Sequence, residues 1–188
     1  MEISMRADLK CANGNGGKVA GALMNEVLHA ITHVVISIDG AELIRRLLPL
    51  NAVTEGSLDL LTTRLTREQL DTLPPLDEID IVPTMQSTDM ATGTLLEMPL
   101  AIEDTPQGTL VIDRHMPVEA SDGHAGNVDA VLVDPISGAV THIVLREGHL
   151  WAKKDVTIPL SNLTSITRDE VTLNLTKDAV GSLPATSV

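Results

Sequence analysis

Short apolar runs separated by turn residues dominate the chain and predict a mainly β fold. The segments AITHVVIS (30–37) and AVTHIVL (139–145) are typical, because each is short, apolar and rich in β-branched residues. Strand alternation places His33 on one face and its neighbours at 32 and 34 on the other. Both faces are largely apolar, which suits a strand that is covered on both sides.

Turn signals mark the ends of these runs. The segment NGNGG (13–17) is one, and Asp122-Gly123 opens a second run that contains Gly126. In DPISG (134–138), Pro and Gly stand where a β-turn tolerates them. The regular spacing of such turns favours strands joined by tight connections.

Two short helical turns are predicted, one before each of the Leu-Pro pairs at 73–74 and 183–184. Thr66 and Gln69 have the spacing of a capping box, in which each side chain satisfies a backbone amide at the helix start. The second turn keeps Thr176 but has Ala179 at the reciprocal position. We therefore expect a weaker cap in the second turn.

The chain contains an internal repeat. His33 and His142 occupy the same place in the two strands above, 142 − 33 = 109 positions apart. At this spacing positions match without a gap up to Ile36: Ile3 with Ile112, Gly14 with Gly123, Gly17 with Gly126, Val19 with Val128, Leu23 with Leu132, Ala30 with Ala139 and Val35 with Val144. One extra residue within 146–157 moves the spacing to 110, which aligns Pro49-Leu50 with Pro159-Leu160. Matches over about 75 residues indicate a tandem duplication.

The duplication divides the chain into copy one (1–75), a linker (76–109) and copy two (110–185). The linker has seven acidic residues and no basic one, so it supplies more than half of the net charge of −13. We expect it to be partly mobile and to lend a short apolar strand, at 79–82 or 95–100, to a barrel. A solvated acidic loop is the alternative.

Composition restricts the core and the partners. Hydrophobic residues make up 43% of the chain, but it has no Phe or Tyr and a single Trp, so the core must be aliphatic. The charge of −13 disfavours direct binding of nucleic acid or of an anionic membrane surface. The single cysteine, Cys11, excludes an internal disulfide and a cysteine zinc cage and is expected to be buried.

Copy two resembles a PRC-barrel domain. The residues that carry the resemblance are the turn at 122–123 with Gly126-Asn127-Val128, the turn at 134–138 that leads into 140–145, Ile158-Pro159-Leu160, and the strand at 171–175. Copy one resembles the family more weakly, since Asn13 replaces the acidic turn residue. The family includes the barrel of the photosynthetic reaction centre H subunit and of the ribosome maturation factor RimM.

The resemblance implies two tandem six-stranded β-barrels related by pseudo-twofold symmetry, each of which ends in a short helical turn. It also implies a protein docking module, with no catalytic motif and no cofactor to carry over. We expect the copies to pack face to face, and pairing of whole chains into a homodimer is a further expectation.

His33 and His142 are the weak candidates for a metal site across the pseudo-twofold axis. A zinc site requires three or four ligands, and no Cys or His-rich spacing supplies the others. The alternative is a structural role, in which each histidine is retained from the ancestral repeat and hydrogen-bonded locally. The sequence favours the structural role.

The segment EGHLWAKKD (147–155) differs between the copies and holds the candidates for partner binding: His149, Leu150, Trp151, Lys153 and Lys154. Trp151 is either an interface anchor, since Trp is enriched at binding hot spots, or a core residue. Lys153-Lys154 and the doublet Arg45-Arg46 either dock an acidic segment or protect an edge strand from aggregation.

No catalytic motif can be placed on the chain. The glycine-rich ANGNGGKVAG does not match the phosphate-binding GxxxxGK[ST] pattern, and it aligns with a turn of copy two. We therefore predict a non-catalytic adaptor or assembly protein without a cofactor. A metal- or small-ligand sensor that uses His33 and His142 is one alternative, and a ribosome-assembly factor or cell-division scaffold is another. With no leader segment and no apolar stretch near the ~20 residues of a membrane helix, we expect no membrane insertion and a cytoplasmic location.

Overall fold

The computed structural model describes residues 1–38, 45–76, 108–147 and 155–183, and it is mainly β as predicted. Copy one forms β1 (Glu2–Ser4), β2 (Asp8–Cys11), β3 (Gly14–Asn25), β4 (Ala30–Ser37), β5 (Arg45–Pro49), a 3₁₀ turn (Leu50–Ala52), β6 (Val53–Gly56), β7 (Leu60–Thr63) and α1 (Arg67–Asp71). The rest forms β8 (Thr109–Asp113), β9 (Pro117–Ala120), β10 (Gly123–Val133), β11 (Val140–Glu147), β12 (Asp155–Pro159), a second 3₁₀ turn (Leu160–Asn162), β13 (Leu163–Ile166), β14 (Val171–Leu173) and α2 (Lys177–Gly181).

The strands form two seven-stranded sheets of the same design. Sheet one has the order β5-β4-β3-β2-β7-β6, and sheet two has the equivalent order β12-β11-β10-β9-β14-β13. A seventh strand joins each sheet at its longest strand: β8 pairs with β3, and β1 pairs with β10. Among the described strands, neither sheet closes on itself, so the expected closed six-stranded barrels stay a prediction. Residues 77–107 of the predicted linker (76–109), including both segments expected to lend a strand, lie outside the described residues.

The seventh strands show that the two copies exchange their first strands. Ile3 of β1 lies opposite Val131 of β10, and Ile112 of β8 lies opposite Ala22 of β3. These pairs are equivalent under the repeat, because 3 + 109 = 112 and 22 + 109 = 131. The exchange is therefore reciprocal, with the same register in both sheets, and each sheet depends on a strand from the other copy.

The copies also meet directly about a pseudo-twofold axis. Ala30 and its equivalent Ala139 form an antiparallel bridge. The Ile31 amide donates to the Gly138 carbonyl at 2.8 Å, and the Val140 amide donates to the His29 carbonyl at the same distance. Each of these bonds is the image of the other at a spacing of 109. The turns before β4 and β11 thus connect the two sheets through these backbone hydrogen bonds.

A bulge with a preceding glycine shapes the longest strand of each sheet. The register shifts between Val19 and Gly21 in β3 and at the equivalent place, between Val128 and Ala130, in β10. Gly17 and Gly126 have φ values of 113° and 152°, and a Cβ there would clash with the facing backbone carbonyls of strands β4 and β11. The repeated glycines are therefore required by close backbone approach, and each bulge adds one extra residue to its strand, Ala20 in β3 and Asp129 in β10.

The core is aliphatic, as the composition predicts. Its largest fully buried side chains come from both copies and include Ile3, Leu9, Met24, Ile36, Leu48, Leu61, Leu110, Ile112 and Ile143. The two exchanged strands supply Ile3 and Ile112, which are completely buried. Cys11 is also buried. One continuous cluster therefore joins the sheets.

Both predicted helical turns are confirmed. In α1, the Thr66 hydroxyl accepts from the Gln69 amide and the Gln69 side chain accepts from the Thr66 amide, which completes the capping box. In α2, the Thr176 hydroxyl accepts from the Ala179 amide, but the reciprocal bond is missing because alanine has no side-chain acceptor. The difference between the caps is the one that the sequence predicted.

We expect Ile3→Ala to destabilise sheet two, in which β1 pairs, rather than sheet one, which contains the other strands of copy one. Truncation of a buried isoleucine costs about 3 kcal/mol, and the strand that carries Ile3 is paired with β10. Hydrogen–deuterium exchange should show faster exchange in β10 for Ile3→Ala and in β3 for the matched variant Ile112→Ala. The reversed pattern would contradict the exchange.

Candidate functional site

A cationic cleft lies where the chain crosses between the two sheets. Residues 5–7 carry the chain from β1 in sheet two to β2 in sheet one, and residues 114–116 carry it from β8 in sheet one to β9 in sheet two. Both crossings line a cleft of about 340 Å³. Its charged and imidazole side chains are Arg6, Arg114, Arg146, His115, His124 and Asp129. We call this site the cationic cleft.

Two aspartates hold two of the three arginines in place. The Arg6 Nη2 lies 3.0 Å from Asp129 Oδ2 and 3.4 Å from Asp155 Oδ2. The Arg146 Nε lies 3.1 Å from Asp155 Oδ1, and its Nη1 lies 3.6 Å from Asp129 Oδ1. This network links the crossing after β1 to β10, β11 and β12. It therefore fastens the exchanged strand to sheet two and orients the guanidinium groups.

Asp129 is the buried member of the network. It is the extra residue of the β10 bulge and only 6% of its surface is exposed. Burial raises the pKa of the Asp129 carboxyl, while the guanidinium groups of Arg146 and Arg6 oppose that rise. An isolated carboxylate would be too costly at this depth, so the two arginines are what allow an acidic residue here.

The rim of the cleft carries further cationic and imidazole groups. Arg114 and His115 are exposed, and within the described ranges Arg114 forms no hydrogen bond or ion pair. The His124 Nδ1 lies 2.9 Å from the Glu119 carboxylate. Arginine is always charged and presents five N–H donors. Arg114 is therefore the cation of the cleft that is free to meet a ligand.

Glu2 on β1 adds a strained carboxylate beside this network. Its Oε1 is buried and has no hydrogen-bond partner among the described residues. Burial, and to a smaller extent the neighbouring Asp129 carboxylate, raises the pKa of Glu2, and Arg6 only partly offsets this. The exchanged strand thus contributes an acidic group whose pKa is raised by burial.

Among the described residues, the equivalent face of sheet one is mostly apolar, with Arg45 as a charged residue at the position of Asp155. Leu23, Val35 and Leu47 form a second apolar cluster there, and Ala20, Leu76 and Val111 pack against it. The chain at 73–76 runs along this face, where the Pro74 carbonyl accepts from the Leu47 amide at 3.0 Å. Under the repeat, Ala20 corresponds to Asp129 and Val111 corresponds to Glu2. The same framework therefore carries an apolar face in one copy and a charged one in the other.

His33 and His142 lie at equivalent places on β4 and β11. The Nδ1 atom of each histidine lies within hydrogen-bond distance of the hydroxyl of the preceding threonine. The distance is 3.1 Å from His33 to the Thr32 hydroxyl and 3.0 Å from His142 to the Thr141 hydroxyl. Burial lowers the pKa of His33, so its imidazole is neutral at pH 7. Over the described ranges, no group of three or more His, Cys, Asp or Glu residues is placed to hold a metal ion. Both histidines are hydrogen-bonded locally, and their structural role stays a prediction.

The other predicted binding residues, His149, Leu150, Trp151, Lys153 and Lys154, lie outside the described residues. Of the basic doublet in copy one, Arg46 donates from Nη1 to the Leu73 carbonyl at 2.6 Å, so it binds the chain's own backbone. Sequence reasoning missed the cationic cleft. The sequence does contain a signal for the cleft, because the two copies differ at these positions. Met5, Ala20 and Ser37 of copy one stand where copy two has Arg114, Asp129 and Arg146.

Comparison with known proteins gives no identification. No protein-family model matches the chain, and no curated protein shows significant sequence similarity to it. In the described part of the chain, none of the helices has the length and apolar character of a membrane span. The account of function therefore depends on the cleft and on the sequence resemblance.

We expect Glu2→Gln to stabilise the protein at neutral pH. Because the pKa of Glu2 is raised in the folded state, the folded chain binds the proton more tightly than the unfolded chain. Stability then falls as the pH rises through the interval between the unfolded and folded pKa. Urea denaturation at pH 7 should show a higher midpoint for the variant, and the gain should shrink as the pH is lowered towards 4.

Glu68→Gln is the matched control with the opposite sign. Bonds from its own backbone amide, the Thr66 hydroxyl and Asn13 lower the pKa of Glu68. Its ionised form therefore stabilises the fold, and this contribution is lost as the pH falls through the lowered pKa. Glu68→Gln should lower the midpoint at pH 7, and a lower midpoint for Glu2→Gln as well would contradict the burial argument.

Proposed function

We propose that this chain is a non-catalytic adaptor or assembly protein of the PRC-barrel type, and that a protein partner docks at the cationic cleft. The divergence of the two copies carries the proposal. Packing alone needs an apolar face, as copy one has at Ala20 and Val111. Copy two places Asp129 and Glu2 there and must balance them with arginines. Burial of these carboxylates costs free energy, and the binding of a partner explains why the charged surface is kept in one copy.

Several features support the PRC-barrel type. Each copy contributes six strands in the same order to its own sheet and ends in a short capped helix. The turns that carry the sequence resemblance, at 122–123 and 134–138, connect β9 to β10 and β10 to β11. In this proposal each six-stranded set curls into a barrel, and the division into 1–75, 76–109 and 110–185 describes the two barrels and their linker.

The chemistry of the cleft supports binding rather than catalysis. Covalent catalysis by a hydroxyl or thiol needs that nucleophile beside an oriented base. The lining of the cleft consists of arginine, histidine and aspartate side chains with Gly126, Asn127 and Val128. Arg6 and Arg146 are fixed by ion pairs, which favours a site of constant shape. The adaptor is proposed to act without a cofactor.

Site-directed photo-cross-linking tests where the partner docks. A photoreactive residue at Asn127, which lines the cleft, should form a defined product in extracts of the source organism. The second substitution Arg114→Glu should reduce that product by about tenfold or more, because it places a like charge against an acidic partner. Arg168→Glu changes an exposed arginine of the same copy outside the cleft, and should leave the product unchanged.

Equal loss with Arg168→Glu would contradict docking at the cleft, since it would show a general charge effect. A product that persists with Arg114→Glu would also contradict it. Because Arg114 is exposed and forms no hydrogen bond or ion pair with a described residue, we expect the variant to fold like the parent chain, which its thermal melting curve checks.

A further inference from the structure

We propose that the cationic cleft recognises an acidic peptide segment of the partner, and that Arg114 binds one of its carboxylates. This inference rests on the proposed docking function and specifies the chemistry of the partner.

The cleft has a positive excess within a strongly acidic protein. The lining of the cleft has three arginines and one carboxylate, that of Asp129. Asp155 and Glu2 lie beside the lining, and Arg6 and Arg146 engage the carboxylates of Asp129 and Asp155. The remaining cation is Arg114, with His115 and His124 beside it. In a chain with a net charge of −13, such a local excess concentrates anionic ligands at one place.

The arginines still have donors to offer. Arg6 reaches both aspartates through Nη2, and no described residue accepts from its Nη1. Arg114 has its whole guanidinium free among the described residues. A guanidinium binds a carboxylate through two parallel N–H bonds, and such charge-assisted bonds are about twice as strong as neutral ones. Because the aspartates hold Arg6 and Arg146 in place, ligand binding orders few side chains.

The size of the cleft favours a short segment. A volume of about 340 Å³ is near the lower limit of ligand pockets. It admits one or two acidic side chains of an extended peptide, while the flanking residues of the peptide lie on the surface outside. The cleft is thus suited to a few glutamates or aspartates in sequence.

A carboxylate suits the cleft better than a phosphate. Arg114, the arginine of the lining that forms no ion pair with a described residue, matches the single charge of a carboxylate, whereas a phosphate monoester carries nearly two negative charges at pH 7. Asp129 also lines the cleft and would repel the second charge. The same repulsion, together with the net charge of the protein, disfavours nucleic acid.

The test measures binding of a fluorescein-labelled oligoglutamate peptide to the full chain by fluorescence anisotropy at low salt. We expect saturable binding, no binding of the matched oligoglutamine peptide, and weaker binding as salt is added. Arg114→Gln should weaken the affinity roughly tenfold, the loss expected for one charge-assisted pair. Arg168→Gln is the control and should bind like the parent chain.

Three outcomes would overturn the inference: no binding of oligoglutamate, equal binding of oligoglutamine, or equal weakening by both arginine variants. Inorganic phosphate that competes as strongly as the peptide would also overturn it and would identify a small-anion site. The proposed function is tested separately by the cross-linked product. A product that depends on Arg114 but is not displaced by oligoglutamate would contradict this inference and leave the docking function standing.

Discussion

The reciprocal exchange of β1 and β8 is the constraint on which the rest of the structure depends. Each exchanged strand pairs with the longest strand of the other sheet and buries an isoleucine there, Ile3 in one case and Ile112 in the other. Two repeats that folded separately would each leave that strand edge and its apolar side chains without cover. The exchange instead joins both sheets through one core.

The cationic cleft is a consequence of the exchange. Two crossings are needed to carry the chain between the sheets, and they bring Arg6 and Arg114 from distant parts of the sequence to one side of β10. Asp129 then connects the crossing to the sheet through a buried ion pair. Since both copies are needed to build the cleft, duplication supplied a surface that a single copy does not have, and copy two alone gained the buried acid.

The sequence predicted the features that local patterns determine. Apolar alternation and turn residues predict the strands, and Thr66 with Gln69 predicts the capping box that the structure shows. The strand exchange was not predicted, because Ile3 and Ile112 have equivalent surroundings and either could pair with Ala22 or Val131. That choice depends on the path of the connecting chain. The cleft was missed for the same reason, since Arg6 and Asp129 are neighbours only after the exchange.

The account is tested most directly by nuclear Overhauser effects between backbone protons of the paired strands. We predict contacts across β1 and β10, between the residues around Ile3 and those around Val131, together with equivalent contacts across β8 and β3. Contacts from Ile3 to Ala22 and from Ile112 to Val131 would instead show that each copy keeps its own first strand. That result would remove the basis for both the joined core and the cleft.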